Sequence, residues 1–310
     1  MTAPVFAGFD LGGTQIKYGL IDGAGAILFK AKSPTPPSIG GLLALLGTQW
    51  KELEKKAAGP IASAGIGIPG IYDLRRKKIL QSPNIPELDE FDLYPAIAAR
   101  IPVPFLLEND ANVAAFGEWK FGAGRGVSSL ALLTIGTGVG GGLILGDTLW
   151  RGTCGFAAEI GHVVVNPNGR PCNCGIRGCL ETEASAPAII RKYQALTGRE
   201  SPVTTEDIYY RARDGEAAAR DAFAQAGAFL GIALGMLLNL LNLELILLGG
   251  GVMTTGEYLL GPAVEEARRR SYPASFACCR IERASLGNDA GLIGAAAWGR
   301  ENPGAAGASR

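Results

Sequence analysis

Residues 159–183, EIGHVVVNPNGRPCNCGIRGCLETE, hold the only histidine of this 310-residue chain, His162, and three of its six cysteines, Cys172, Cys174 and Cys179. One imidazole nitrogen and three thiolates form a set suited to tetrahedral Zn²⁺. The reach from His162 to Cys172 includes Asn168-Gly169 and two prolines, enough to double back, and Gly175 and Gly178 supply turns that return Cys179. Four protein ligands leave no position open for an activated water, so the zinc is expected to be structural. Its work would be to fix Glu159 and Glu181, the carboxylates on either side, relative to one another.

A second chemical stretch is LLENDANVAAFGEW, with Glu108, Asn109 and Asp110 at an expected strand-to-helix junction. Asn109 or Asp110 would cap the helix, a role worth about 1 kcal/mol. Phosphoryl transfer to a hydroxyl also needs a carboxylate within hydrogen-bond reach, to orient the hydroxyl and take its proton. One residue can do both.

Three glycine loops could hold an anion. In DLGGT, Gly12 and Gly13 let the backbone approach closely and Thr14 adds a hydroxyl. Asp10 suits a phosphate site only with a cation such as Mg²⁺ between the two; a plain hairpin turn is the other reading. In TIGTGVGGG, Gly136, Gly138 and Gly141 match the dinucleotide fingerprint G-x-G-x-x-G, and Glu159 stands near the place of a ribose-binding acid. That fingerprint must open a helix, whereas GLILGDTLW continues with β-type alternation. A second phosphate-facing hairpin with Thr137 and Gly138 at its tip is therefore expected. LLGGGV places Gly249, Gly250 and Gly251 at the end of an apolar strand, where α/β sheets bind ligands.

The elements that must carry these loops read as follows. VFAGFDLGG, IKYGLID and GAILFKAK form a β-meander, followed by a helix over 38–57 and a buried strand over 61–70. A short helix over 90–100, a strand over 103–110 and a helix precede a second glycine-rich strand pair over 129–150. The chain is then mostly helical from 184 to 241, with a strand at 243–248 and helices at 255–270 and 290–299. The tail ENPGAAGASR looks disordered. Residues 222–242 are nearly continuously apolar, with Gly227, Gly231 and Gly235 every fourth residue, which in a membrane would mark a helix-packing face. Gln225, Asn239 and Asn242 interrupt the run, so a buried soluble helix packed through its glycine face is expected.

Lys plus Arg equals Asp plus Glu at 29 each, which argues against a nucleic-acid binder relying on a broad basic field. The one basic run, Arg75-Arg76-Lys77-Lys78, reads as a solvated turn. The start shows no basic segment followed by a long apolar run, so no signal peptide is expected. Cysteines without a secretion signal fit a reducing compartment; Cys154, Cys278 and Cys279 read as small apolar residues.

DLGGT, TIGTGVGGG and LLGGG in that order resemble the two phosphate loops and the adenosine loop of the sugar kinase/actin/Hsp70 ATPase fold. With Gly161-His162 and Cys172-x-Cys174-Gly175-x-x-Gly178-Cys179-x-Glu181, the chain from about residue 5 to 299 resembles the ROK family of repressors, open reading frames and kinases. The resemblance implies an α/β, two-lobed actin/hexokinase/Hsp70-like (ribonuclease H-like) fold with its ligand cleft between lobes 1–109 plus 290–310 and 110–289. It implies ATP, Mg²⁺ and Zn²⁺ as cofactors and Asp110 as general base. Asn109, Glu159, Glu181 and His162 would meet the sugar, with Gly70 and Asn84 near it, and Asp10, Gly12, Gly13, Thr14, Thr137, Gly138, Gly249, Gly250 and Gly251 would line the ATP site. A hexose and ATP would be its partners, without nucleic acid or membrane, in a cytoplasmic and often dimeric enzyme. Within the family it looks most like the glucokinase branch; N-acetylglucosamine and N-acetylmannosamine kinases share the catalytic residues, and fructokinase-like members exist. Sugar-sensing repressors carry a helix-turn-helix domain before the core, which does not fit ahead of Asp10, and the polyphosphate-using relatives compared lack the cysteine cluster. One departure is Gln15, where many of the glucokinases have Lys; Lys17 lies two further on.

Overall fold

The computed structural model describes residues 2–82 and 85–302, so Asn84 and the tail from 303 lie outside the described residues. Strands β1 (Val5–Leu11), β2 (Gln15–Ile21) and β3 (Ile27–Pro34) form the expected antiparallel meander. Helix α1 (Ile39–Lys56) starts at Ser38, whose Oγ accepts the Gly41 N–H, and buries Leu42, Leu46, Trp50 and Leu53. Strand β4 (Ile61–Ile68) pairs parallel to β1. A hairpin of β5 (Ile71–Asp73) and β6 (Lys78–Gln81) follows, and the basic run forms its turn, where Arg76 pairs with Glu90. After α2 (Leu93–Ala98), strand β7 (Phe105–Asn109) completes a first sheet in the order β3-β2-β1-β4-β7 and leads directly into α3 (Asp110–Phe121).

The second half repeats the opening on a smaller scale. Strands β8 (Ser129–Ile135) and β9 (Val139–Leu145) are antiparallel, so the glycines between them open a strand and not a helix, against the dinucleotide reading. The metal loop leads into α4 (Leu180–Ala184), α5 (Ala186–Thr197), α6 (Thr205–Arg213) and α7 (Ala217–Leu241). Strand β10 (Leu245–Gly249), α8 (Glu257–Arg270), α9 (Pro273–Ala277) and β11 (Arg280–Arg283) complete a sheet in the order β11-β10-β8-β9. At the turn into this edge strand Cys278 is exposed, while Cys279 is partly buried and packs against the core of the second half.

Helix α7 is long and apolar enough to cross a bilayer, yet its glycine face is covered by α8. A Cβ at Gly231 would lie 2.5 Å from the Ala263 carbonyl oxygen, and one at Gly227 2.6 Å from that of Leu259. With Leu230, Leu234 and Leu238 fully buried, the helix is a core element. The last helix, α10 (Ala290–Glu301), returns to the first sheet and to α3. It lies so close that a Cβ at Gly8 or Gly65 would collide with its backbone, and one at Gly117 would lie 2.7 Å from the Ala290 carbonyl oxygen. One packed block of β1, β4, α3 and α10 thus supports the β7–α3 junction.

Candidate active site

The junction is set by a cap. Oδ1 of Asn109 accepts the N–H groups of Ala111 (2.9 Å) and Asn112 (3.1 Å), satisfying donors at the start of α3. Nδ2 of Asn109 donates to the Gly70 carbonyl at 3.2 Å, which is how the turn after β4 meets this site. Only one Nδ2 hydrogen is left for a ligand by that bond. Gly70, at φ +102°, is in a conformation other residues rarely adopt.

Asp110 is half-buried, and its Oδ1 accepts the Ala111 N–H at 2.8 Å. Burial, then the charge of Asp10, and more weakly that of Glu159, raise its pKa to about 7, against the lowering effect of the Ala111 N–H. The charges of Asp10 and Glu159 thus both reach Asp110. Burial also pushes Asp10 upward, countered by Lys17, whose Nζ is 3.4 Å from Oδ2. Lys17 also donates to the Asn288 carbonyl at 2.9 Å. The positive charge beside the β1–β2 glycine loop thus comes from Lys17, facing Asp10 across the β1–β2 ladder, while Gln15 stands exposed.

In that loop the Gly12 N–H closes the turn on the Gln15 carbonyl at 3.0 Å, and Thr35 Oγ1 donates to the Gly12 carbonyl at 2.6 Å. Gly13 and Thr14 are exposed at its tip. In the second loop Thr137 is exposed, and the Gly136 carbonyl accepts the Ala186 N–H at the start of α5. Gly136, Thr137 and Gly251 open onto a cleft of about 590 Å³. Gly250, at φ +87°, packs so tightly on Ile135 that a Cβ would lie 2.5 Å from its nitrogen. The cleft is also walled by Thr205, Glu206, Tyr209 and Tyr210 of α6, which sequence reasoning missed. The T-x-x-D capping box of Thr204 and Asp207 marks this helix but not the cleft it faces.

His162, Cys172, Cys174 and Cys179 converge, with one ligand atom from each lying within 4.8 Å of all the others. The Cys174–Cys179 Sγ separation is 3.6 Å, as is that from Cys172 Sγ to His162 Nδ1. Tetrahedral Zn²⁺ with Zn–S of about 2.3 Å requires sulfurs about 3.8 Å apart, so the quartet fits the ion. Burial pushes Cys172 upward and Cys179 up to about 12, so these thiols ligate only a cation that displaces their protons. His162 turns Nδ1 to the sulfurs and Nε2 toward Glu159, 4.0 Å from its Oε2. The loop is held by its own backbone: the Val165 and Asn166 N–H groups donate to the Gly178 carbonyl. Buried Glu183 braces it, accepting from Asn166 Nδ2 at 2.9 Å and pairing with Lys192 at 2.9 Å. The structure thus brings together Asp10, Asp110, Glu159, His162 and the three cysteines, which lie far apart in sequence.

Residues 6–302 match the model of the ROK family. The chain is 36% identical over 309 residues to the glucokinase of Halalkalibacterium halodurans, covering 93% of each chain. It is 32% identical over 292 residues to the N-acetylmannosamine kinase of Haemophilus influenzae, again covering 93% of each. A solved ROK family glucokinase from Streptomyces griseus, in complex with glucose and AMPPNP, superposes with a TM-score of 0.85 at 34% identity over 96% of this chain and 100% of that one. The fold is the actin/hexokinase-like ATPase fold, and the chain belongs to the ROK family.

Proposed function

We propose that the protein is an ATP-dependent hexose kinase that phosphorylates glucose at its 6-hydroxyl. The observation that carries this reading is Asp110, a half-buried carboxyl raised to about 7 at a helix start that faces Asp10 and Glu159. A carboxyl whose pKa lies near the working pH balances the share of unprotonated base against its strength as a proton acceptor. Asp110 removes the proton of the 6-hydroxyl as its oxygen attacks the γ-phosphorus in line, and the bond to the β-bridging oxygen of ATP breaks. Asn109, Glu159 and Glu181 hold the other hydroxyls, the carboxylates acting as acceptors, with Nε2 of His162 facing the same side.

Gly12, Gly13, Thr14, Thr137 and Gly138 cradle the phosphates, while Gly249, Gly250, Gly251 and the α6 wall bound the nucleoside. Asp10 is the residue suited to hold Mg²⁺ through its waters, and that ion would screen the triphosphate's charge. Zinc on the His162–Cys179 quartet is structural, holding Glu159 and Glu181 in register. Lobes 1–109 plus 290–310 and 110–289 close over the sugar and exclude water. The long apolar helix, packed within the second lobe, fits a cytoplasmic enzyme.

The reading is supported by the glucokinase names of relatives at about one-third identity, and an N-acetylmannosamine kinase lies only slightly further away. ADP release with Mg-ATP against glucose, mannose, fructose, N-acetylglucosamine and N-acetylmannosamine separates the two. Turnover concentrated on glucose supports the proposal; turnover concentrated on an N-acetyl sugar moves the enzyme to the amino-sugar branch. Absence of turnover on every sugar by zinc-replete protein removes the kinase reading and brings a sugar-sensing role forward.

A further inference from the structure

Glu108, the residue before the Asn109–Asp110 pair, is only 2% exposed. Its Oε1 accepts the Asn109 N–H at 2.9 Å and Nδ2 of Asn112 at 3.0 Å. Its Oε2 is buried without a hydrogen bond. A buried carboxylate with an orphan oxygen is unfavourable unless a cation stands beside it. Among the described residues the ion-pair partner is Arg151, 3.5 Å from that oxygen.

Arg151 comes from the loop between β9 and Glu159, in the other half of the molecule. Its guanidinium also stands over the Trp298 ring of α10, 5.2 Å from the ring centre. The loop itself is fastened across the lobes: the Leu74 N–H donates to the Cys154 carbonyl at 3.0 Å. Gly155, at φ +98°, lies against the Tyr72 carbonyl, where a Cβ would come within 2.5 Å. Thus one strap carries Arg151 to the catalytic junction and, a few residues on, Glu159 to the sugar.

We propose that Arg151 is a positioning residue for the phosphoryl transfer: from the strap it matches the buried charge of Glu108 and so holds the β7–α3 junction that presents Asn109 and Asp110. Oε1 of Glu108 fixes the backbone N–H of Asn109 and the side chain of Asn112, one on each side of Asp110. Displacing Glu108 therefore turns the base away from the hydroxyl, and misplacement of about 1 Å can cost on the order of 100-fold in rate. The role rests on the kinase reading given above.

The test compares wild type, Arg151→Met, Arg151→Lys, Glu108→Gln and the Arg151→Met/Glu108→Gln double variant, measuring kcat and the KM for glucose and ATP. Arg151→Met is expected to lower kcat by about tenfold or more with both KM values within about threefold. Arg151→Lys is expected to retain most of the rate. The double variant is expected to recover much of what Arg151→Met loses, because the amide of Gln keeps the Oε1 acceptor and leaves no charge to match. If Arg151→Met folds poorly, the double and the Lys variants carry the comparison. A kcat for Arg151→Met within about twofold of wild type overturns the proposal. So does a loss that Glu108→Gln does not relieve, since Arg151 would then act on substrate directly. Wild type run alongside keeps the two readings apart: an inactive wild type sinks the kinase reading and this role with it, whereas an active one with an insensitive Arg151→Met overturns the positioning role alone.

Discussion

Glu181 and Val139 are joined by a hydrogen bond: the Val139 backbone N–H, at the start of β9 beside the tip of the β8–β9 hairpin, donates to Oε2 of Glu181 at 3.0 Å. A Cβ at Gly138 beside it would lie 2.4 Å from that same oxygen, so a side chain there would push the Glu181 carboxylate off this bond. Glu181 follows Cys179 by two residues, so one carboxylate ties the His/Cys loop to the β8–β9 hairpin. Its Oε1 takes no part in that bond and is the oxygen suited to a sugar hydroxyl.

On the proposed kinase reading, this link makes Glu181 matter for both substrates. Glu181→Ala is expected to raise the KM for ATP as well as for glucose by about tenfold or more, since hydrogen bonds to a charged group contribute about 1.5–3 kcal/mol. Glu181→Gln keeps an acceptor for Val139 and should leave the KM for ATP closer to wild type. Steady-state kinetics in both substrates checks this. A change confined to the sugar would show that the hairpin does not depend on Glu181.

Metal removal follows the same route. The protein is expected to carry one zinc per chain by elemental analysis, and chelation or Cys179→Ser should weaken glucose and ATP together while lowering the melting temperature. Loss of a metal that folds its own loop removes stability directly. Metal-free protein with unchanged KM values and melting point would contradict a structural ion at His162, Cys172, Cys174 and Cys179.

The raised pKa of Asp110 has a sign that can be checked in stability. The folded carboxyl sits at about 7 against 3.8 for the ordinary group. Between those values the folded state binds more protons than the unfolded chain, so the group costs stability as pH rises through that window. Three units correspond to at most about 4 kcal/mol, reduced by water in the open cleft. Asp110→Asn is therefore expected to stabilise the protein by roughly 1–2 kcal/mol at pH 8 and by nothing near pH 3, measured by urea unfolding. In wild type, kcat/KM should fall below an acid limb near 7, as the free enzyme's base protonates. Equal stability of the two proteins at every pH would remove the perturbed carboxyl.

Close helix packing gives a prediction away from the site. Gly231→Val inserts a branched side chain where a Cβ already meets the Ala263 carbonyl at 2.5 Å. A loss of about 2–4 kcal/mol is expected by thermal or urea unfolding. A change within about 0.5 kcal/mol would mean that α7 and α8 separate easily.

The glycine loops, the metal quartet and the β7–α3 junction were legible in the sequence because each is local: turn glycines, ligand spacing and a cap all act within a few residues. The close packing of α7 was legible for a similar reason: its glycines recur every fourth residue along one face, while Gln225, Asn239 and Asn242 interrupt the apolar run. Partners brought together by topology leave no such trace. Nothing in the spacing of Glu108 and Arg151, or of Val139 and Glu181, indicates contact, and Tyr209 and Tyr210 look like any aromatic pair on a helix. The strands β5 and β11 escaped notice because three- and four-residue strands carry too little alternation to read. The exposure of Cys278 was not legible, because a small apolar residue type does not report whether its turn lies inside or outside.

The central claim is that Asp110 takes the proton of the glucose 6-hydroxyl. The most direct measurement is glucose 6-phosphate formation by wild type and Asp110→Asn at saturating glucose and Mg-ATP, pH 8, with glucose binding measured on both. A variant that stays folded, binds glucose within a few-fold of wild type and has lost about 1,000-fold or more of its kcat is the expected result. A variant that keeps a rate within about tenfold of wild type would contradict Asp110 as the base.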